Sequence, residues 1–223
     1  MHVNTIYAAS VAFLMAISAI SGAAAQGSVT AITLTPEAYA ESGKTKGVVL
    51  FAVRWDRKWK CAGFENAQLR LIAFDKLPST RLIEDESADL LVADAPLIMT
   101  KPRFDDYAYL VEPGEYALSG LHIKAAASIS DVRLAKVGRE RLLKDGRPEG
   151  GSFNVAPGEI VYIGHFYLDC YGEPILWRYY LEGRDTFNAY LADAKKKIPE
   201  LDLSKAQFRL FKTQFFGRDY ELK

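Results

Sequence analysis

Two short stretches, Pro113-Gly114-Glu115-Tyr116 and Pro157-Gly158-Glu159-Ile160, constrain this chain most. Proline presets the φ that the first corner of a turn needs, and glycine accepts the positive φ that often follows. Each turn opens into a run rich in aromatic and aliphatic residues, 116–124 and 160–168, as strands are. Each run also carries a glycine seven positions past its proline, Gly120 and Gly164. Punctuation of this kind predicts a β-rich core.

The rest of the chain extends that pattern. A short strand is expected within 29–34, and Thr35-Pro36-Glu37 has the cap, proline and acid of a helix start, with room for a turn or two before Gly43. Gly47 opens the continuous apolar run 48–53, the kind buried on both faces. Residues 67–74 read as the returning strand, with Leu69, Leu71 and Ala73 alternating against Gln68 and Arg70. Further short strands are expected at 97–99 and 175–181, and residues 138–151, charged and glycine-bearing, read as a surface hairpin or flap. Phe187, Tyr190, Leu191, Ala194 and Ile198 then recur at helical spacing before Pro199. A second helix is expected from Ser204, with Ala206, Phe208, Phe211 and Phe215 on its apolar side. Strands first and helices last predict a mainly β protein, an antiparallel β-sandwich with a C-terminal α-helical extension.

The N-terminus reads as a secretory signal: an apolar stretch over 11–20, then small residues ending Ala23-Ala24-Ala25. An uncleaved anchor is the competing reading, because residues 6–25 carry no charge and are long enough to span a bilayer. No later stretch is apolar enough to span one, so no membrane span is expected after cleavage. The expected location is periplasmic or secreted. With 28 basic and 28 acidic residues the chain is formally neutral, which argues against nucleic acid as a partner. Cys61 and Cys170 are the only cysteines, and in an oxidising compartment they form a natural disulfide candidate. Closing so long a loop stabilises by up to roughly 4–5 kcal/mol in the chain-entropy model. Two unpaired, partly buried thiols are the alternative.

The turns and strands over 113–120 and 153–164, Pro113-Gly114-Glu115-Tyr116-Ala117-Leu118-Ser119-Gly120 with Phe153-Asn154-Val155-Ala156-Pro157-Gly158-Glu159-Ile160-Val161-Tyr162-Ile163-Gly164, resemble a group of uncharacterised bacterial exported proteins. That group consists of small β-sandwiches, immunoglobulin-like or transthyretin-like, often lipoproteins. The resemblance implies a sandwich over 47–182; the residues themselves place a signal at 1–25 and an N-terminal segment at 26–46 before it, and C-terminal helices at 183–223 after it. This chain departs from many such proteins in lacking a lipidation cysteine and in carrying those helices. The group brings a fold and no activity.

Chemistry-bearing motifs are sparse. The mature region holds two histidines, His122 and His165, each following a Pro-Gly turn. Strict alternation puts His122 on the face of Tyr116, Leu118 and Gly120, and His165 opposite Ile160, Tyr162 and Gly164, so the two are expected to diverge. A structural role is the leading expectation for each, since zinc sites need three or four close ligands. There is no Gly-x-Ser-x-Gly, Ser-x-x-Lys, His-Glu-x-x-His or Cys-x-x-Cys. Ser42-Gly43-Lys44-Thr45 resembles the end of a phosphate loop, but its first glycine is replaced by Ala38. Glu84, Asp85, Glu86 and Asp89 lack the spacing of an EF-hand loop and read as a solvated acidic loop.

The strongest surface candidate is Trp55-Asp56-Arg57-Lys58-Trp59-Lys60. On an alternating strand Trp55, Arg57 and Trp59 share a face, which fits a cation held between two rings and a surface able to stack on a ligand. The competing reading is a structural hairpin whose tryptophans cover one end of the sandwich. The aromatic set Tyr167, Tyr171, Trp177, Tyr179 and Tyr180 is divided in the same way between core and partner surface. The functional expectation is an exported, non-enzymatic module with a binding or structural role in the cell envelope, its partner an envelope protein or glycan, with no cofactor and no metal. Two alternatives stand beside it. One is a periplasmic hydrolase or envelope-remodelling enzyme whose site is assembled from distant residues. The other is a protein inhibitor or chaperone-like subunit acting through residues 138–151.

Overall fold

The structure, a computed structural model, describes residues 30–93, 103–170, 175–179 and 183–209. In chain order they form β1 (Ile32–Thr33), α1 (Pro36–Ser42), β2 (Gly47–Val53), β3 (Lys58–Cys61), β4 (Phe64–Lys76), β5 (Leu90–Ala93), β6 (Asp105–Val111) and β7 (Gly114–Ala126). There follow β8 (Val132–Val137), α2 (Arg139–Leu142), β9 (Ser152–Val155), β10 (Ile160–Asp169), β11 (Ile175–Tyr179), α3 (Gly183–Lys197) and β12 (Gln207–Phe208). Single 3-10 turns occupy Lys144–Gly146 and Leu203–Lys205. The fold is mainly β and contains two six-stranded sheets.

The first sheet runs β1-β6-β2-β10-β11, with β12 also against β10. It is mixed: β2 and β10 pair in parallel, as do β10 and β12, while the other pairs are antiparallel. The second sheet runs β3-β4-β7-β8, with β5 against β4 and β9 against β7, and is antiparallel throughout. One apolar core lies between the sheets. Val49, Phe51 and Val53 of β2 enter it from one side, and Leu69, Ile72 and Phe74 of β4 from the other. Phe51 meets Phe74 edge-on at 6.3 Å between ring centroids and Phe166 at 6.2 Å. The outer face of the first sheet carries a second cluster: Val48, Leu50, Ile160 and Tyr162 pack under Phe187 of α3 and Ile198 just after it. Every residue of β2 is therefore buried, as a continuous apolar run requires.

α1 begins where its cap residues place it. The Thr35 hydroxyl accepts a hydrogen bond from the Ala38 amide at 3.2 Å, and Pro36 opens the first turn. α3 follows the predicted periodicity and stops short of Pro199.

Both Pro-Gly turns lead into long strands, and the glycine seven positions on marks a β-bulge in each. In β7, Leu118 and Gly120 face the neighbouring residues Phe74 and Ala73 of β4, so Ser119 is an extra residue. In β10, Tyr162 and His165 face Leu50 and Ala52 of β2, three steps against two. Gly164 adopts a φ of 120° there, a conformation side chains disfavour. A third bulge lies in β4, where Leu69 and Leu71 face Ile123 and His122. Each extra residue inverts the faces downstream. Leu71 consequently leaves the face of Leu69, and the core positions become Leu69, Ile72 and Phe74. His122 lies opposite Tyr116 and Leu118, because the core positions of β7 shift to Leu121 and Ile123. His165 joins Ile160 and Tyr162, because those of β10 shift from Ile163 to Phe166. The two histidines still diverge, each on the outer face of its own sheet.

Two further expectations change. Residues 206–208 form no helix: Gln207 and Phe208 add a short parallel strand beside Val161 and Tyr162, and Phe208 stacks on Tyr162 at 5.4 Å. Residues 138–151 are no hairpin; they hold α2 and a 3-10 turn, anchored by buried Arg139 and Leu142. β5 adds a strand where none is expected from the sequence, antiparallel to β4. The strand expected at 97–99, and Tyr171, Tyr180, Phe211 and Phe215, lie outside the described residues.

Candidate functional site

The outer faces of the two sheets differ. That of the first is closed by α3, whereas that of the second opens into a cleft of about 240 Å³. Its floor consists of Leu71 and Ala73 of β4 with Ser119 and Gly120 of β7. Two bulges produce this floor. One turns Leu71 outward; the other leaves Ser119 and Gly120 between the core residues Leu118 and Leu121, so both sit on the cleft side. Small residues at paired positions leave the hollow: a Cβ built on Gly120 would lie 3.4 Å from that of Ala73.

One wall is His122 of β7 with Lys136 of β8, directly paired across the strands. The other is the loop after β4, over 83–87, with Arg139 and Glu140 of α2. That loop is held by two arginines. Arg139, buried, donates Nε to Asp75 Oδ2 at 2.6 Å and Nη2 to Asp75 Oδ1 at 3.0 Å. It also donates to the carbonyls of Asp85 and Ser87. Arg81 donates to Asp89 at 2.8 Å and to the Ser87 hydroxyl at 2.6 Å. A planar fork with five donors can satisfy a carboxylate and several carbonyls together, which an ammonium cannot. The wall is thus built around a charge pair removed from water.

Burial, then the Lys136 charge, hold the His122 imidazole below its ordinary pKa, with Glu86 opposing them. His122 is therefore neutral at pH 7 and offers one donor and one acceptor nitrogen. Lys136 donates to Glu86, whose carboxyl is lowered by that bond. The Asp85 carboxylate is lowered chiefly by the Ser87 amide donating to it. Ser119 is 2% exposed, and its hydroxyl has no hydrogen-bond partner among the described residues. Buried hydroxyls are normally paired, so an unpartnered one beneath a cleft floor is an exception. His122 does not bond to it.

No known protein family, curated protein or solved structure matches the chain. What the site can do therefore rests on its own geometry.

The structure separates the Trp55, Arg57 and Trp59 segment. Residues 54–57 are not strand, so alternation does not govern them. Trp55 is 1% exposed, enters the core and donates Nε1 to the Tyr107 hydroxyl at 2.8 Å. Trp59 is 62% exposed on β3, with the Arg57 guanidinium 5.5 Å from its ring centroid. The cation stacks on one ring and not between two. Cys61 and Cys170 form a disulfide with their Cα atoms 4.7 Å apart, tying β3 to the end of β10. Of the second aromatic set, Tyr167 lies with its ring centroid 5.7 Å from Lys58 Nζ, and Trp177 and Tyr179 fall on β11 beside Tyr167 and His165.

His165 lies under α3. Its Nδ1 shares a hydrogen bond with the Tyr162 hydroxyl, and Phe104 and Tyr190 contact its ring edge-on. Burial pushes its pKa down to about 4 against the opposing pull of Asp106. Of the acidic cluster, Asp85 and Asp89 face Arg81, and among the described residues no three His, Cys, Asp or Glu side chains converge to hold a metal.

Sequence reasoning missed Ser119 and Arg139. A serine within the apolar run 116–123 was an available signal. Arg139 had none, because its partner lies 64 residues away.

Proposed function

We propose that this chain is an exported, non-enzymatic binding module of the bacterial cell envelope, with the outer-face cleft of its second sheet as the binding site. The observation carrying this reading is the buried, unpartnered Ser119 hydroxyl in the floor of a cleft that also presents neutral His122. A volume of about 240 Å³ falls below the ~300–1,000 Å³ of pockets for drug-sized ligands, which favours a small group or one side chain of a partner protein or glycan. The disulfide is compatible with an oxidising compartment, and no helix among the described residues is long and apolar enough to cross a membrane. Together with the signal-like N-terminus these favour a periplasmic or secreted location. The parallel β2–β10 pair, flanked by antiparallel β6 and β11, favours the transthyretin-like over the immunoglobulin-like arrangement, whose sheets are antiparallel.

The experiment is a titration of the full chain with muropeptide, disaccharide and short peptide probes, followed on the His122 imidazole resonance. Saturable shifts lost in Ser119→Ala support a binding module. Turnover of any probe, abolished by His122→Ala, transfers the site to the hydrolase reading. The inhibitor reading is less favoured, because α2 is anchored by Arg139 and Leu142 and is not a free flap.

A further inference from the structure

We infer that the cleft recognises an alkylammonium group, the head of a lysine side chain on a partner polypeptide or of a free diamine. This rests on the binding-module reading and names its ligand chemistry. Three properties of the cleft converge on it.

The first is charge. Within the walls, Arg139 is spent on Asp75, and Lys136 on Glu86. Glu84 and Glu140 remain at the mouth, both exposed, with no cation paired to either among the described residues. Glu140 accepts only a long bond from the Gly138 amide, at 3.3 Å. The open charge is negative. The second is the floor. Ser119 Oγ is buried and unpartnered, and it accepts from an N–H donor as readily as it donates. Neutral His122 adds an acceptor nitrogen on the wall. The third is the apolar lining: Leu71, Ala73 and Val137 supply surface for methylene groups. An aliphatic stem ending in a triple donor matches all three, because the ammonium brings the positive charge and the N–H groups that these acceptors lack. An anion would meet Glu84 and Glu140, and a neutral sugar would leave them uncompensated.

The test titrates the full-length protein with N-acetyl-lysine N-methylamide and with cadaverine, against N-acetyl-norleucine N-methylamide as the neutral isostere. Amide and imidazole resonances of Ser119, Gly120 and His122 provide the readout. The expected result is saturable shifts with an ammonium probe and at least tenfold weaker binding of the isostere. The double variant Glu84→Gln/Glu140→Gln weakens binding roughly fivefold, as loss of exposed charge pairs does. Ser119→Ala weakens it roughly tenfold, as loss of a charge-assisted hydrogen bond does. Both keep the wild-type melting temperature, which separates lost binding from lost fold. Tighter binding of the blocked lysine assigns the ligand to a polypeptide; tighter binding of cadaverine assigns it to a free amine. Equal binding of the isostere, or an unchanged affinity in the glutamine variant, overturns the inference and leaves the binding module standing. Silence of the cleft resonances towards every probe, these and the envelope panel alike, overturns both.

Discussion

Arg139 and Asp75 form a bidentate ion pair in which neither side chain reaches solvent appreciably: they are 8% and 0% exposed. The pair joins the end of β4 to α2, and through the carbonyls of Asp85 and Ser87 it holds the loop between them. Arg139→Ala leaves a carboxylate buried without its counter-ion. Loss of about 3–5 kcal/mol is expected in chemical denaturation. Arg139→Lys restores charge but not the fork, so it recovers only part of that stability. Faster amide exchange over 82–87 in both variants would identify the loop as the element released.

Trp55 and Trp59 predict opposite behaviour. Trp55→Ala removes a core ring and the partner of the Tyr107 hydroxyl, so a loss of about 3–5 kcal/mol is expected. Trp59→Ala removes an exposed ring and shifts stability by no more than about 0.5 kcal/mol. Urea denaturation of the two variants checks the contrast. Equal costs would mean that β3 packs differently. A ligand that binds through the Arg57–Trp59 stack would be lost in Trp59→Ala alone.

His165 makes stability depend on pH. Its folded pKa is about 4, whereas an unfolded histidine titrates near its ordinary value of about 6.5. Between these values the unfolded chain binds a proton that the folded chain refuses. Its contribution is therefore complete above about pH 6.5, falls with pH through this window, and levels off below about pH 4. The total is about 3 kcal/mol. Asp106 of β6, paired with Lys197, is the acid whose charge reaches it, the Tyr162 hydroxyl bonds to its Nδ1, and the Tyr190 ring packs against it. His165→Phe should flatten the dependence of denaturation midpoint on pH between 4 and 6.5. An unchanged slope would show that other groups govern it.

Gly164 and Gly120 occupy corresponding bulges with different backbone demands. Gly164 has a φ of 120°, so Gly164→Ala is expected to cost more than about 1 kcal/mol. At Gly120, an added methyl meets Ala73 at 3.4 Å, an ordinary contact. Gly120→Ala therefore leaves stability close to wild type while reducing the cleft. Comparison of melting temperatures decides this; a larger loss at position 120 would contradict it.

Much of this protein was legible before its fold. The Pro-Gly turns, the Thr35 cap, the continuous burial of 48–53 and the period of α3 are local signals, each carried by a few neighbouring residues. The disulfide was legible as a candidate, from two cysteines behind a signal-like N-terminus, and the 4.7 Å approach of their Cα atoms decided it against free thiols. Residues 206–208 differ from the helix expected there because Phe208, Phe211 and Phe215 recur at helical spacing while Ala206 and Phe208 alternate as in a strand, and Tyr162 supplied the partner that decided between them. The cleft was not legible. Its floor depends on Ser119 and Leu71 facing outward, and its wall depends on Arg139 reaching Asp75.

The two glycines that follow the Pro-Gly turns show where the division lies. The sequence by itself determined that strands follow both turns, over 116–124 and 160–168, and that glycine recurs at one position within each. Only the tertiary structure decided that these glycines mark bulges, and hence which way His122 and His165 point. The reason is physical. A side chain's face is a count of residues from the last fixed point, and one residue looped out inverts everything beyond it. Whether a residue is looped out depends on the register of the strand alongside, whose residues come from another part of the chain.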